Sequence, residues 1–226
     1  MAPATTHLAH HICLVSLDAP TETGNARTDD AGSRAVAHLL DDLADALRVY
    51  DRLTRQSSET PGAPVTLQRA PAGARTRPSL VSSCDALVLG LSVGDGSDAA
   101  VGALAHEALS GLLDACDPGT RLYALACGVP SDPVSAHEQL NRIARACEAS
   151  PCIWSGGLAL GGAVAIATQA HAPRMGILRR ARSEAIDQLI MAIRCGMSLD
   201  TADPEHILPV RPTCAARVLT FLQQRA

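Results

Sequence analysis

Short, uninterrupted apolar runs alternate along this chain with longer segments whose apolar residues recur every three to four positions. Runs such as 12–17 and 86–91 are typical of strands that are buried on both faces, whereas 33–55 has the pattern of an amphipathic helix that Ser33 could cap. A parallel sheet covered by helices on both faces buries both kinds of segment, so the pattern predicts an α/β fold. The predicted strands are 12–17, 65–68, 86–91, 122–126 and 153–160, and the predicted helices are 33–55, 98–116, 133–149, 176–197 and 213–225.

The length of 226 residues equals about one and a half typical domains, and 47% of the residues are hydrophobic while 19% are charged. Such a composition excludes a disordered chain. Residues 1–10 have the composition of a flexible tail. We therefore expect a single domain at 11–226 behind that tail.

The basic residues restrict the possible chemistry, because all 19 of them are Arg and none is Lys. This excludes a Schiff-base lysine, a P-loop lysine and a kinase-type phosphate clamp. Only four aromatic residues are present and the net charge is −4, so neither base stacking nor electrostatic attraction favours binding to nucleic acid.

The eight cysteines form no C-x-x-C pair, and several lie within apolar runs, which is typical of small buried residues. We therefore expect no metal site. No signal-peptide pattern opens the sequence, and we expect a reduced protein in the cytoplasm. The uncharged stretch 153–172 is interrupted by glycines, so we interpret it as a strand leading into a glycine-rich loop, with no membrane association.

The loops that follow the predicted strands hold the candidate ligand-binding residues, since ligands of such sheets lie at the carboxyl ends of strands. In the first loop, Thr21, Thr23, Gly24 and Asn25 precede a helix and could hold a phosphate through hydroxyl, amide and backbone N–H groups. Because the same residue types are common in turns, an ordinary polar turn is the alternative.

Residues Gly90-Leu91-Ser92-Val93-Gly94 match the G-x-S-x-G pattern of a serine-hydrolase nucleophile elbow. The elbow requires a helix to begin at the serine, whereas polar residues continue the loop up to position 98. A serine hydrolase that uses Ser92 is therefore a third possible function, ranked below the two that are given at the end of this subsection.

Four arginines cluster around the start of the predicted helix 176–197. We expect them to form a solvated helix face, with a contact to a nucleotide phosphate as the alternative. They are Arg174, Arg179, Arg180 and Arg182.

Two segments of the second half resemble the flavodoxin-fold NAD(P)H-dependent FMN reductase-like oxidoreductases. The first, Tyr123-Ala124-Leu125-Ala126-Cys127-Gly128, is similar to a family strand that ends in Cys-Gly, and the second, 153–162, contains Trp-Ser-Gly-Gly and a trailing Gly-Gly. The segment 21–26 also resembles the flavodoxin loop that binds the FMN phosphate. The resemblance implies a flavodoxin-like three-layer sandwich with a five-stranded parallel sheet in the order 2-1-3-4-5.

The same resemblance implies an oxidoreductase that binds FMN, passes electrons from NAD(P)H to a small acceptor such as a quinone, and forms a homodimer. No side chain stands out as a catalytic acid or base. The chain has Ser92–Gly94 where the family commonly has an aromatic residue, and a non-catalytic flavodoxin-fold binding module without flavin is therefore the alternative. The implied cofactor-binding residues are Thr21, Thr23, Gly24 and Asn25 for the phosphate, and Ser92, Gly94, Cys127 and Gly128 for the ring.

Overall fold

The computed structural model of this protein describes residues 9–18, 29–57, 64–70, 81–94, 108–174 and 176–223. Its centre is one parallel sheet, whose strands are largely the apolar runs of the sequence. The strands are β1 (His11–Ser16), β2 (Thr66–Ala70), β3 (Ala86–Val93), β4 (Arg121–Gly128), β5 (Ile153–Gly161) and β6 (Ile207–Val210).

The strand order is β2-β1-β3-β4-β5-β6, and every neighbouring pair is parallel. The expected order 2-1-3-4-5 is present, but the expected number of five strands is wrong, because β6 adds a sixth beside β5. This strand has four residues including Pro209, which removes one backbone N–H and suits an edge position. So short a run, broken by proline, lacks the pattern that marks the other strands.

Helices cover both faces of the sheet and produce three layers. The first, third and fourth helices pack with one face in one apolar cluster, and the second helix packs with helical residues 108–114 on the other face. The fifth helix lies beside the third. The helices are α1 (Asp29–Ser57), α2 (Val134–Cys147), α3 (Ala163–Thr168), α4 (Arg180–Cys195) and α5 (Cys214–Gln223).

The structure differs from the sequence-based expectation at the start of α1 and after β5. The helix α1 begins at Asp29, so Ser33 lies within it and is not its cap. The stretch after β5 is not only a glycine-rich loop, because α3 follows Gly162, whose φ of 79° is a left-handed conformation that suits glycine. The six small and β-branched residues of α3 are too few to show a helical period.

The uncharged stretch 153–172 thus contains the strand β5 and the short helix α3. Within the described ranges, no helix is both long enough and apolar enough to cross a membrane. The expected tail at 1–10 stays a prediction, since 1–8 lie outside the described residues.

Candidate functional site at the carboxyl edge of the sheet

Asp18 and Ser92 join the carboxyl ends of the neighbouring strands β1 and β3. The Ser92 backbone N–H donates to Asp18 Oδ1 over 2.7 Å, and the Ser92 hydroxyl donates to the same oxygen over 2.9 Å. The start of α1 approaches closely here, since a Cβ on Gly32 would lie 2.9 Å from the Cβ of Ser92. A half-buried carboxylate, which the sequence patterns do not mark, therefore bridges the two strands at the point where strand order reverses.

The second carboxylate oxygen of Asp18, Oδ2, is buried and has no hydrogen-bond partner among the described residues. Burial raises the pKa of Asp18, while the hydrogen bonds from Ser92 act in the opposite direction. The folded protein thus favours the protonated carboxyl more than the unfolded chain does.

We expect Asp18→Asn to reduce the pH dependence of stability. A raised folded-state pKa makes the free energy of unfolding fall as pH rises from about 4 through that pKa, after which the loss stays constant. The amide keeps an oxygen that accepts from Ser92 but does not ionise, so the variant should gain stability relative to the wild type between pH 4 and pH 7. Urea unfolding at several pH values measures this, with Asp45→Asn on the exposed face of α1 as the control. Parallel profiles for the wild type and Asp18→Asn would contradict the prediction.

The four residues implied to contact a flavin ring lie at the ends of β3 and β4, where Ser92 pairs in register with Cys127. Their surroundings differ. Cys127 is fully buried, and a Cβ on Gly128 would lie 2.9 Å from Ser135 Oγ. A Cβ on Gly94 would meet no atom within 4 Å. Only Gly94 therefore faces open space.

The four residues implied to bind the phosphate lie outside the described residues. They are Thr21, Thr23, Gly24 and Asn25, and their role stays a prediction. The described chain resumes at Asp29 with α1, so this loop directly precedes a helix, as expected.

The expectation of a solvated face is wrong for two of the four clustered arginines. Arg179 and Arg182 are buried, because the first turn of α4 packs toward α1 and the end of β5. Arg179 forms a buried ion pair with Asp42 of α1 and also donates to the carbonyls of Ala170 and Ala172 over 2.8 Å each. Burial lowers the pKa of Arg182 to about 10, assisted by the nearby Arg179.

The position of Arg182 could have been recognised in the sequence. It lies four residues before Ile186 and seven before Leu189, both of which are buried on the apolar stripe of α4. A charged residue on the apolar stripe of a helix indicates a buried charge and thus a possible site.

A cleft of about 600 Å³ opens at the same edge, on the β5 side of β4. This volume is in the range of small-molecule sites. Its wall includes Phe221 and the exposed Cys214, both from α5. Phe221 is the aromatic residue of this edge, whereas Tyr123 and Trp154 lie at the beginning of β4 and β5, at the opposite edge.

The cysteines agree with the expectation of buried apolar residues in six of eight cases, and all eight are free thiols. Burial raises the pKa of Cys127 to about 12, so this thiol is protonated at neutral pH and is a poor nucleophile. In the described part of the chain, no group of three or more His, Cys, Asp or Glu side chains is placed to hold a metal ion.

A comparison with solved structures finds a distant match. It is the flavodoxin of Streptococcus pneumoniae TIGR4, with a TM-score of 0.36 and 11% sequence identity over 72% of this chain and 97% of that chain. No protein-family model matches the sequence, and no curated protein matches it either. The strand order β2-β1-β3-β4-β5 and the three layers are the features that this fold shares with flavodoxin-like sheets.

Proposed function

We propose that this protein is a flavodoxin-like oxidoreductase that binds FMN at the carboxyl edge of the sheet and passes electrons from NAD(P)H to a small acceptor such as a quinone. The position of β1 between β2 and β3 carries the proposal. The connection after β1 leads to β2 on one side and the connection after β3 leads to β4 on the other, and the resulting crevice at the ends of β1 and β3 is where sheets of this order bind their ligands. The homodimer implied by the family resemblance belongs to the same proposal.

The residues around the crevice fit the flavin in part. The loop between β1 and α1 supplies Thr21, Thr23, Gly24 and Asn25 for the phosphate, and the amino end of α1 adds backbone N–H donors. The open space over Gly94 leaves room for the edge of a ring. FMN would supply the electron-transfer chemistry, and the chain would supply binding and electrostatic surroundings.

Two of the implied ring contacts are restricted. The N–H and hydroxyl of Ser92 already donate to Asp18, so Ser92 has no free donor to offer a ligand. The side chain of Cys127 is fully buried, so this residue could contact a ligand only through its backbone. Gly128 is buried as well, so the proposed ring contacts depend mainly on the backbone of Gly94.

A flavodoxin-fold binding module without flavin is the second candidate. The Asp18–Ser92 pair favours it, because the pair uses donors that would otherwise face a ligand and adds a carboxylate near the proposed phosphate. The absence of a stacking aromatic residue at the described ends of β1 and β3 favours it as well.

Flavin titration separates the two candidates. If the loop binds the phosphate, the double variant Thr23→Ala, Asn25→Ala should bind FMN more weakly by about tenfold or more, since a hydrogen bond to a charged group contributes about 1.5–3 kcal/mol. Riboflavin lacks the phosphate and should bind the variant as it binds the wild type. Quenching of flavin fluorescence measures both affinities, and Thr54→Ala, whose hydroxyl bonds the Tyr50 carbonyl near the end of α1, is the control.

The outcomes point in different directions. Equal losses for FMN and riboflavin would remove the loop from the site. A wild-type protein that binds neither flavin would favour the binding module. With FMN bound, oxidation of NADH or NADPH by a soluble quinone should exceed the rate with free FMN, and equal rates would contradict the proposed activity.

A further inference from the structure

Arg182, in the first turn of α4, differs in its hydrogen bonding from Arg179, the buried arginine just before the helix. Only 7% of Arg182 is exposed, yet its Nε and Nη2 have no hydrogen-bond partner among the described residues. The nearby carboxylate of Asp42 is bonded to Arg179. A buried charge without a partner is costly, and proteins rarely keep one unless it has a counter-group. The structure thus contains a buried cation with two donor nitrogens, Nε and Nη2, from which no described residue accepts a hydrogen bond.

The electrostatic surroundings of Arg182 are positive. Arg179 and Arg174 repel its charge, Asp42 attracts it, and the Cys127 thiol beside it is protonated at neutral pH. With a pKa of about 10, Arg182 keeps its charge at neutral pH. An anion placed beside it would gain from all three arginines, since Asp42, the carboxylate that acts on Arg182 among the described residues, is already bonded to Arg179.

A small pocket with Arg182 in its wall lies between the end of β5, α3, the first turn of α4 and the turn before α5. Its free space of about 20 Å³ exceeds the roughly 10–15 Å³ that one water needs, so it can hold a small polar group. A carboxylate end fits this size. We call this space the Arg182 pocket, and Arg211 lies at its wall.

The Arg182 pocket adjoins the cleft of about 600 Å³, since Ala165 and Pro212 line both cavities. Apolar side chains dominate the wall of the cleft, and Phe221 and Val218 are more than half exposed there. Val129 and Val164 extend this apolar wall. The two spaces together combine a buried positive charge with an apolar chamber.

We propose that these two cavities form a binding site for a small carboxylic acid with an apolar, ring-sized body. The carboxylate lies in the Arg182 pocket and pairs with the Arg182 guanidinium, and the body lies in the cleft against Phe221. Arg211 and Arg217 at the walls add positive charge, and the exposed Asp132 near Arg211 is the opposing carboxylate. The site lies on the β5–β6 side of β4, so it goes beyond the proposed flavin site at β1 and β3.

The test uses 4-fluorobenzoate as the acid and 4-fluorobenzamide as its neutral counterpart. Fluorine NMR titration of the wild type should give an affinity for the acid at least about tenfold higher than for the amide, because the amide lacks the charge-assisted bonds. Arg182→Met keeps the length of the side chain and removes its charge, and it should abolish this difference. Arg180→Met, two residues earlier and largely exposed, should preserve it.

Two further measurements keep the proposal testable if Arg182→Met does not fold. Phe221→Ala changes a half-exposed side chain and should weaken the acid and the amide by the same factor. Cys214 is exposed and lines the cleft, so 4-fluorobenzoate should slow its alkylation by iodoacetamide, as measured by mass spectrometry. Equal affinity for acid and amide, an unchanged difference in Arg182→Met, or unprotected Cys214 would each overturn the proposal. Inorganic phosphate binding more tightly than 4-fluorobenzoate would overturn it too.

Discussion

Asp42→Asn is expected to destabilise the protein by about 3 kcal/mol, the lower end of the range for breaking a buried ion pair. The side chains of Arg179 and Asp42 are only 4% and 13% exposed, so water cannot replace the lost carboxylate. The guanidinium keeps its bonds to the carbonyls of Ala170 and Ala172, which limits the loss. Urea unfolding followed by circular dichroism measures the change in the free energy of unfolding.

The neighbouring position provides the matched control. Asp41 pairs with Arg69, but these side chains are 55% and 42% exposed, so Asp41→Asn should cost at most about 1 kcal/mol. The double variant Asp42→Asn, Arg179→Met should recover part of the loss, because it also removes the unpaired buried charge. Similar small losses at positions 41 and 42 would show that the buried pair does not stabilise the fold.

The elements that local patterns determine were predictable. The strand β3 and the long helix α1 carry continuous or periodic apolar residues, and their burial in the structure follows those patterns. Each pattern reflects a face that the chain must remove from water, and that requirement is visible without knowledge of neighbours. The strand order 2-1-3-4-5 came from the family resemblance rather than from such patterns.

Elements that depend on their neighbours were missed. The strand β6 has four residues and a proline, and its pairing with β5 gives it an extended structure. The helix α3 has six residues, and it begins where Gly162 can adopt a left-handed conformation. Neither has enough residues to display a period, so only the assembled sheet and the packing of α1 specify them.

The candidate site was predictable only in its location. The rule that ligands lie at carboxyl ends of strands pointed to Ser92 and Gly94, which the structure places at the end of β3. The Asp18–Ser92 pair joins residues 74 positions apart, and its existence depends on β1 and β3 being neighbours. Arg182 had a local signal, whereas the cleft beside Phe221 required the position of α5.

The bulge between β4 and β5 leaves no room for a side chain at Gly156, so we expect a large loss of stability when a methyl group is added there. The register shifts between Leu122 and Tyr123, and Gly156 at the bulge has a φ of 113°. A Cβ there would lie 2.5 Å from the His206 carbonyl oxygen and 2.8 Å from the Cβ of Leu199. Hydrogen bonds on both sides of Gly156, from Leu199 N–H to the Ser155 carbonyl and from Gly157 N–H to the His206 carbonyl, prevent these atoms from moving apart easily.

Gly156→Ala should therefore destabilise the protein by about 4 kcal/mol, since a strained backbone costs about 1–3 kcal/mol and overpacking about as much again. Gly111→Ala is the matched control: Gly111 is exposed in a helical segment, and its Cβ would meet no atom within 4 Å. Alanine should stabilise that segment by roughly 0.5–1 kcal/mol, so the two variants should change the urea midpoint in opposite directions. A midpoint for Gly156→Ala within error of the wild type would mean that β5 and the segment before β6 do not approach each other as closely as the bulge requires.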